Sequence, residues 1–269
     1  MTIITHESVF EFCRTYDWQK RLDALEEMLL DERWSFTDAK EGAKNTKNPI
    51  LENYIKHTFK RLYQLAAIDE TRYVSTCTDR MCFNLGLFTK EYERVYFVCR
   101  KETRADDDKE WSFAGFEKES SPALYDFAEL PEKVGFFDKV EDLIYDINCP
   151  LRVNSAHILS NPDNVARLPE DLQNSKNLQI LFEGAIQLAI KKVEANYKVA
   201  VPQYFNGNIQ FLLPLSLQEI EKVDIVMAVS KINGFYRGNT CLTLDMAYNN
   251  ARLIAKPESI WLLSATGET

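Results

Sequence analysis

Apolar residues recur with two different periods along the chain. From Asn48 to Ile68 they return at every third or fourth position, as in an amphipathic helix, with a polar loop predicted before it from Thr37. From about Met81 onward, segments such as RVYFVCRK alternate residue by residue, as in a strand with one buried face. The change of period predicts a helical N-terminal region, residues 1–75, packed on an α+β core, residues 76–269.

Two Asn-Gly pairs predict tight turns in the C-terminal half. Asn206-Gly207 separates YKVAVPQYF from NIQFLLPLSL, and Asn233-Gly234 separates DIVMAVSKI from FYRGNTCLTL. Asn-Gly favours the two-residue hairpin turn, because both of its positions readily adopt positive φ. We therefore expect an antiparallel sheet of hairpins, arranged as a meander and packed with helices, which is an α+β fold.

The run TCLTLDMAYNNARLIAKP, Thr240 to Pro257, carries the densest polar signal. It predicts a strand that leads directly into a helix, with Asp245 as the N-cap. Asp245, Asn249, Arg252 and Lys256 are spaced four, three and four positions apart, so on a continuous helix they share one face. Asn249 and Asn250 are poor helix formers, which indicates a hydrogen-bonding role. These residue types suit a phosphate or a nucleotide edge.

A second polar stretch, LRVNSAHILSNPDNVARLPEDL, lies mid-chain. It places Asn154 and His157 in a segment predicted to be extended, followed by Asn161 and Arg167 in a loop. A histidine can serve as general acid or base near neutral pH, and an arginine fork can hold a phosphate, so the pair suits phosphoester chemistry. The structural alternative is that His157 is a hydrogen-bonded core histidine at a strand end.

Composition indicates a folded, water-soluble protein. The chain is 45% apolar and 12% aromatic, and no apolar run approaches the roughly 18 to 20 residues of a membrane helix. Residues 1–17 contain His6, Glu7 and Glu11 where a leader would be basic and then apolar. We therefore expect a cytoplasmic location and no membrane association.

The net charge of −9 argues against a broad basic surface that coats nucleic acid. From Leu151 onward there are 11 Lys plus Arg and 11 Asp plus Glu, so all the excess acid lies earlier in the chain. A polyanion would therefore bind in a local pocket of the C-terminal part.

No metal site is predicted. The six cysteines lack paired short spacings, and the run Asp106–Asp108 lacks the spaced ligands and the glycine of a calcium loop, so it is predicted as a solvated loop. As an alternative, Asp146 and Asp245 could share a divalent metal, but two carboxylates distant in sequence do not by themselves predict a site. Neither a cofactor nor an oligomeric state follows from the sequence.

Taken together, these residues resemble the family known as domain of unknown function 3825. The resemblance is carried by FNLGLFT, WSFAGF, the spaced Asn154, His157, Asn161, Arg167 and Pro169, then NYKVAVPQYF, FLLPL, LTLDMAYNNARLIAKP and Trp261-Leu262. It covers roughly Met81 to Leu262 and extends to the helix around Tyr54 to Leu62. The family is uncharacterised as to reaction, but its members are often joined to RNA-binding modules of the cold-shock or LOTUS winged-helix type, which implies an association with RNA. Residues 1–80 of this chain carry no cold-shock aromatic signature.

The first functional hypothesis is an enzyme, a hydrolase or nuclease that acts on a phosphoester of RNA or of a nucleotide. In it His157 transfers the proton, and Arg252 and Lys256 stabilise phosphate charge. The substrate is bound and oriented by six further residues: Asn154, Arg167, Gln203, Asp245, Asn249 and Asn250.

The second hypothesis is a module that binds an RNA end or a nucleotide without altering it, because the chain has no P-loop, HExxH, GxSxG or GxGxxG motif. In the third, the polar residues are buried scaffold. Asp245 would then cap its helix, the two asparagines would satisfy strand edges, and Arg252 would pair with Asp224 or Asp146.

Overall fold

Two five-stranded sheets, each with its own helices, make up the fold. A computed structural model describes residues 2–37, 47–103 and 109–263. The polar loop predicted from Thr37 to Asn48 lies mostly outside this range. The acidic run Asp106–Asp108 and the closing ATGET lie outside it altogether. The α+β class is confirmed.

The chain divides into two compact units, Met1–Gly135 and Phe136–Thr269. Among its described residues, the α-helices of the first unit are α1 (Val9–Phe12), α2 (Trp18–Met28) and α3 (Pro49–Tyr73). Its strands are β1 (Cys13–Arg14), β2 (Ser75–Cys77), β3 (Arg80–Phe88), β4 (Arg94–Lys101) and β5 (Trp111–Lys118). They lie in the order β1-β5-β4-β3-β2, antiparallel except for the β1–β5 pair. The sequence-based division between residues 75 and 76 falls inside this unit, within β2.

The amphipathic pattern before Ile68 forms α3 as predicted, and the helix continues to Tyr73 with non-helical dihedrals at Asp69. Its apolar face is buried against an aromatic core in which Phe59 meets Phe83, with ring centroids 5.6 Å apart. The prediction for β4 was wrong in one respect. Residues 95–99 are all buried, so both faces of the strand are covered and not one alone.

In the second unit, as far as Leu263, the α-helices are α4 (Ser155–Ser160), α5 (Pro162–Ala166), α6 (Glu170–Gln173), α7 (Leu178–Ala195), α8 (Leu244–Ala251) and α9 (Ile260–Leu263). Its strands are β6 (Leu151–Arg152), β7 (Val201–Phe205), β8 (Asn208–Leu215), β9 (Ile225–Ile232) and β10 (Phe235–Leu242). β7 to β10 form the predicted antiparallel meander, and β6 adds to β10 in parallel, which gives the order β6-β10-β9-β8-β7.

Both Asn-Gly turns form as predicted. Asn206 and Gly207 have φ of 48° and 83°, and Asn233 and Gly234 have φ of 47° and 84°, the positive values that a tight hairpin turn requires. These turns set the register of β7 on β8 and of β9 on β10. The register in turn decides which side chains share a face of the sheet.

The two faces of the second sheet differ in what covers them. One face packs against α7 through Phe211, Met227 and Tyr236, and Tyr145 stacks on Tyr236 with 4.1 Å between ring centroids. The other face is crossed by α8, which contacts β7, β9 and β10. Strand residues alternate between the faces, so the even-numbered positions of β8 and β9 lie on the α8 side. In the described part of the chain, no helix has the length and apolar character needed to span a bilayer.

Candidate functional site

Helix α8 begins and ends differently from the sequence prediction. Its N-cap is Thr243, whose hydroxyl accepts a hydrogen bond from the backbone N–H of Met246 at 3.2 Å. The prediction that Asp245 is the cap was therefore wrong, since Asp245 is the second residue of the helix and is buried. The helix ends at Ala251, and the chain continues in turns at Arg252 and beyond.

The single polar stripe predicted from Asp245 to Lys256 does not form, because the helix is too short to carry it. Arg252 follows the last helical residue and is only 7% exposed, whereas Lys256 lies outside the helix and is exposed. Ala247, Tyr248 and Ala251 on the helix are buried. What α8 presents to the sheet is its last turn, which contains the two adjacent asparagines.

Four amide side chains form a continuous hydrogen-bonded series, here called the amide chain: Gln210, Gln203, Asn250 and Asn249. Gln203 Nε2 donates to Gln210 Oε1 at 2.8 Å, and Asn250 Nδ2 donates to Gln203 Oε1 at 3.0 Å. Asn249 Nδ2 lies 3.4 Å from Asn250 Oδ1. The chain joins α8 to the edge strand β7 and to β8, so three of the predicted substrate-binding residues do lie together.

The mid-chain polar stretch is helical, and the prediction of an extended segment around His157 was wrong. Asn154 is the N-cap of α4, and its side-chain oxygen accepts the backbone N–H of His157 at 3.0 Å. His157 itself is exposed on α4. The core-histidine alternative placed it at a strand end, which is likewise not where it lies.

Arg167 and a buried asparagine, Asn164, both contact the end of β10. The sequence analysis did not identify Asn164. Asn164 is 3% exposed, and its Oδ1 accepts from Thr240 Oγ1 at 2.7 Å and from the Cys241 N–H at 3.1 Å. Arg167 Nη1 donates to the Cys241 carbonyl at 2.7 Å and lies 3.3 Å from Asn164 Oδ1. These contacts hold α5 against β10, so Arg167 has a structural role in this position.

Lys256 lines an open groove of about 1010 Å³ between the turn at Tyr197–Val199 and the segment before Trp261. Lys192 and Lys198 also line it, together with apolar residues such as Val199 and Pro214. Of the three predicted catalytic residues, Lys256 borders this groove, whereas neither His157 nor Arg252 is among the described residues that line it.

The carboxylates proposed as partners for Arg252 are engaged in other contacts. Asp146 Oδ2 accepts from Lys231 Nζ at 3.2 Å, and Asp224 Oδ2 accepts the backbone N–H of Leu217 at 2.7 Å. Hydrogen bonds from Cys149 and then from Lys231 lower the pKa of Asp146. Residues 2–37, 47–103 and 109–263 contain no group of three or more His, Cys, Asp or Glu side chains placed to hold a metal ion.

A row of polar side chains crosses the α8 side of the sheet, and the sequence analysis identified only Gln203 of its five members. This polar row consists of Gln203 on β7, Gln210 on β8, Ser230 on β9, Arg237 on β10 and Arg152 on β6. Gln203 pairs with Gln210, Ser230 with Arg237, and Arg237 with Arg152. Gln210 precedes Phe211 and Ser230 follows Val229, and Phe211 and Val229 form the terminal β8–β9 pair, with side chains in the core on the opposite face.

Asn239 supports the middle of the polar row. Its Nδ2 donates to Ser230 Oγ at 2.7 Å, and its Oδ1 accepts from Arg237 Nε at 3.2 Å. A register shift between Gly238 and Thr240 interrupts the β9–β10 ladder at this asparagine. The Arg237 guanidinium is thereby held on the polar row, although its side chain is exposed.

The electrostatic character of the second sheet follows from strand composition. None of the five strands β6 to β10 contains Asp or Glu, whereas they contain Arg152, Lys231 and Arg237. Lys231 lies on the opposite face, where it pairs with Asp146, so the two arginines supply the positive charge of the polar row. The whole chain has a net charge of −9, so five strands without Asp or Glu stand out. Counting the charged residues of each predicted strand could have identified this sheet from the sequence.

Comparison with known proteins identifies the chain at the level of family. The model of the family described as "Domain of unknown function (DUF3825)" matches residues 25–261. The chain belongs to this family. No curated protein matches it, and neither does any solved structure. The DUF3825 match includes all five members of the polar row and the whole of the amide chain.

Proposed function

We propose that the second unit, Phe136–Thr269, binds RNA or a nucleotide at the polar row without transforming it. The observation that carries the proposal is the pairing of Arg152 with Arg237 on strands that contain no carboxylate, beside a hydrogen-bonded series of amides. Guanidinium groups contact phosphates, and the half-buried amide of Gln210 can match a donor or acceptor on a base edge. Gln203 is buried, and it holds Gln210 in place through their hydrogen bond. The description of the DUF3825 family names no activity, so the family match does not bear on this choice.

Binding has more support from the geometry than phosphoester hydrolysis has. Hydrolysis would need His157, Arg252 and Lys256 around one substrate, yet Arg252 is buried while His157 is exposed on α4. A buried guanidinium would have to move before it met a phosphate. Arg152 and Arg237 are exposed and adjacent already, so no such rearrangement is needed for binding.

The direct test uses the full chain with short labelled RNAs and nucleotides, with and without Mg²⁺ or Mn²⁺. Fluorescence anisotropy should show binding that weakens with salt, and mass spectrometry should recover the ligand intact. Arg237→Ala should weaken binding and reduce the slope of log affinity against log salt by about 0.7 for each phosphate that the variant no longer neutralises. Lys231→Ala removes an equal charge on the opposite face of the same sheet and should leave the slope unchanged.

Two results would contradict the proposal. Turnover of RNA or nucleotide that His157→Ala abolishes, with the melting temperature preserved, would establish the hydrolase hypothesis in its place. A complete lack of binding to RNA and to nucleotides would remove both hypotheses and leave the polar residues as scaffold.

A further inference from the structure

Two phenylalanines extend the polar row toward the hairpin turns. Phe205 ends β7 two residues after Gln203, and Phe235 begins β10 two residues before Arg237. Side chains two apart on a strand share a face, so both rings lie on the same side of the sheet as the polar row. Phe205 is 48% exposed, and Phe235 is half-buried.

Arg152 connects the second ring to the polar row. Its guanidinium carbon lies 4.3 Å from the centroid of the Phe235 ring, within the range of a cation–π contact. The guanidinium lies over the ring and the Arg152 side chain is exposed, so the guanidinium plane itself is offered for stacking above Phe235. A flat base can stack on an aromatic ring or on a guanidinium plane.

The distance between the rings determines how they can be used. β7 and β10 are separated by β9 and β8, so Phe205 and Phe235 are three strand spacings apart, about 14 Å. Stacked rings have centroids within about 7 Å of each other. One base therefore cannot contact both phenylalanines, and each ring must address a different base of an extended ligand.

From this arrangement we propose that the surface formed by Phe205, the polar row and Phe235 binds an unpaired RNA strand. One base stacks on Phe205, a second stacks at Phe235 and Arg152, and Arg237 contacts the phosphate backbone between them. This deepens the proposed function and rests on it. The ligand class is single-stranded RNA, because bases in a duplex are already stacked and cannot lie flat on side-chain rings.

The surface is held in place before any ligand arrives. Arg237 is positioned by Asn239, and Gln203 by its bonds to Gln210 and Asn250. Side chains that are already ordered lose little rotamer freedom on binding, which favours affinity. The acid-free strands remove the like-charge repulsion that a phosphate backbone would otherwise meet on a protein of net charge −9.

The test measures binding of the full chain to a labelled, unstructured RNA of about ten nucleotides, a length typical of single-strand sites. Phe205→Ala and Phe235→Ala should each weaken binding about 5- to 100-fold, since base–aromatic stacking is worth that much. Tyr197→Ala is the matched control, because Tyr197 is an aromatic residue of the same unit with 53% exposure that lies away from the polar row. Its removal should leave affinity unchanged.

A spectroscopic readout separates stacking from loss of folded protein. RNA with 2-aminopurine at single positions should be quenched on binding, and Phe235→Trp should retain the quenching while Phe235→Leu loses it. Thermal melting of each variant shows whether it is folded. If Phe235→Ala does not fold, Phe205→Ala carries the test, because that ring is about half exposed.

The outcomes distinguish this inference from the proposed function. Suppose that RNA binds, that Arg237→Ala weakens the binding, and that neither phenylalanine variant weakens it. Base stacking on the rings would then be wrong, while the proposed function would stand. Equal or tighter binding of the same sequence as a duplex would also overturn the single-strand inference. If wild-type protein binds no RNA and no nucleotide, the proposed function itself fails.

Discussion

Asn250 in the last turn of α8 donates a hydrogen bond to Gln203 on β7, with 3.0 Å between Nδ2 and Oε1. Gln203 is 1% exposed, and its own Nε2 group donates to Gln210 at 2.8 Å. Two sequence-distant amides thus satisfy each other where the helix meets the sheet edge. The same bond positions Gln203 in the polar row. The Gln203 side chain therefore both joins α8 to the sheet and forms part of the proposed binding surface.

The Asn250–Gln203 bond should be visible in stability. Asn250→Ala leaves the buried Gln203 oxygen without this donor, which should lower the free energy of unfolding by about 1 to 3 kcal/mol. The double variant Gln203→Met with Asn250→Leu should lose less stability than Gln203→Met and Asn250→Leu lose when added together, since each single substitution already breaks the same bond. Urea unfolding of wild type, these two single variants and the double variant measures the coupling. Gln187→Ala, an exposed amide on α7, should change stability by less than about 0.5 kcal/mol. Strict additivity of the two substitutions would refute the coupling.

Asn164 should be a larger determinant of stability. It joins α5 to β10 through Thr240 and Cys241 and to α4 through the Ile158 carbonyl, so Asn164→Ala strands several buried groups. We expect a loss of about 3 kcal/mol in chemical unfolding. Asn161→Ala, three residues earlier, removes only a solvent-exposed helix cap and should cost about 1 kcal/mol. Equal losses in the two variants would show that Asn164 does not join the elements.

Arg167 should behave as a structural residue. Arg167→Ala breaks the 2.7 Å bond to the Cys241 carbonyl and should lower the melting temperature while RNA affinity of the folded fraction stays unchanged. Arg237→Ala should do the reverse, because its side chain is exposed on the polar row. Measuring melting and anisotropy on the same two samples tests both statements. A loss of affinity in Arg167→Ala at full folding would return it to the ligand-binding residues.

Thr243 should account for the start of α8. Thr243→Ala removes the hydroxyl that accepts the Met246 N–H and should destabilise the protein by about 1 kcal/mol, whereas Thr243→Ser keeps the acceptor and should be close to wild type. Urea midpoints at constant slope measure the difference. If alanine and serine cost the same, the effect belongs to the lost methyl group and not to the cap.

Glu93 gives the first unit a defined acid sensitivity. Hydrogen bonds from the Ser120 side chain, from Lys118 and from the Ser120 backbone lower the pKa of Glu93 from 4.5 to about 2. A carboxyl whose folded-state pKa is depressed contributes its full stability above the unfolded value and loses it as pH falls toward the folded value. The difference in stability between wild type and Glu93→Gln should therefore be greatest above about pH 4.5 and shrink toward pH 2.

Unfolding midpoints of both proteins across this pH range measure the difference in stability. Glu91→Gln is the control, an exposed carboxyl two residues away, and an undiminished Glu93 effect at pH 2 would contradict the linkage.

The errors of the sequence analysis share a physical cause. The alternation in β4 indicates a strand but cannot show that a second layer covers its other face, which depends on residues elsewhere in the chain. The spacing of Asp245, Asn249, Arg252 and Lys256 defines a stripe only if the helix continues, and α8 ends at Ala251. Both Thr243 and Asp245 are residue types that can cap a helix. Thr243 has the extended backbone of an N-cap, so Thr243 is the cap and Asp245 lies inside the helix.

The candidate site was found in part for the same reason. Asn249, Asn250 and Gln203 were identified by residue type, and they lie together. Arg152 and Arg237 were missed because each is unremarkable in its own segment. They become neighbours only when β6 joins β10 in parallel, across a separation of 85 residues in the chain.

By itself, the sequence determined the family, the helix α3 and both Asn-Gly hairpins, because helical periodicity and turn chemistry act over a few consecutive residues. Only the tertiary structure decided that Gln203, Gln210, Ser230, Arg237 and Arg152 form one row with a phenylalanine at each end. Strand register and the order β6-β10-β9-β8-β7 created that row, and both depend on pairing and packing between residues far apart in the chain.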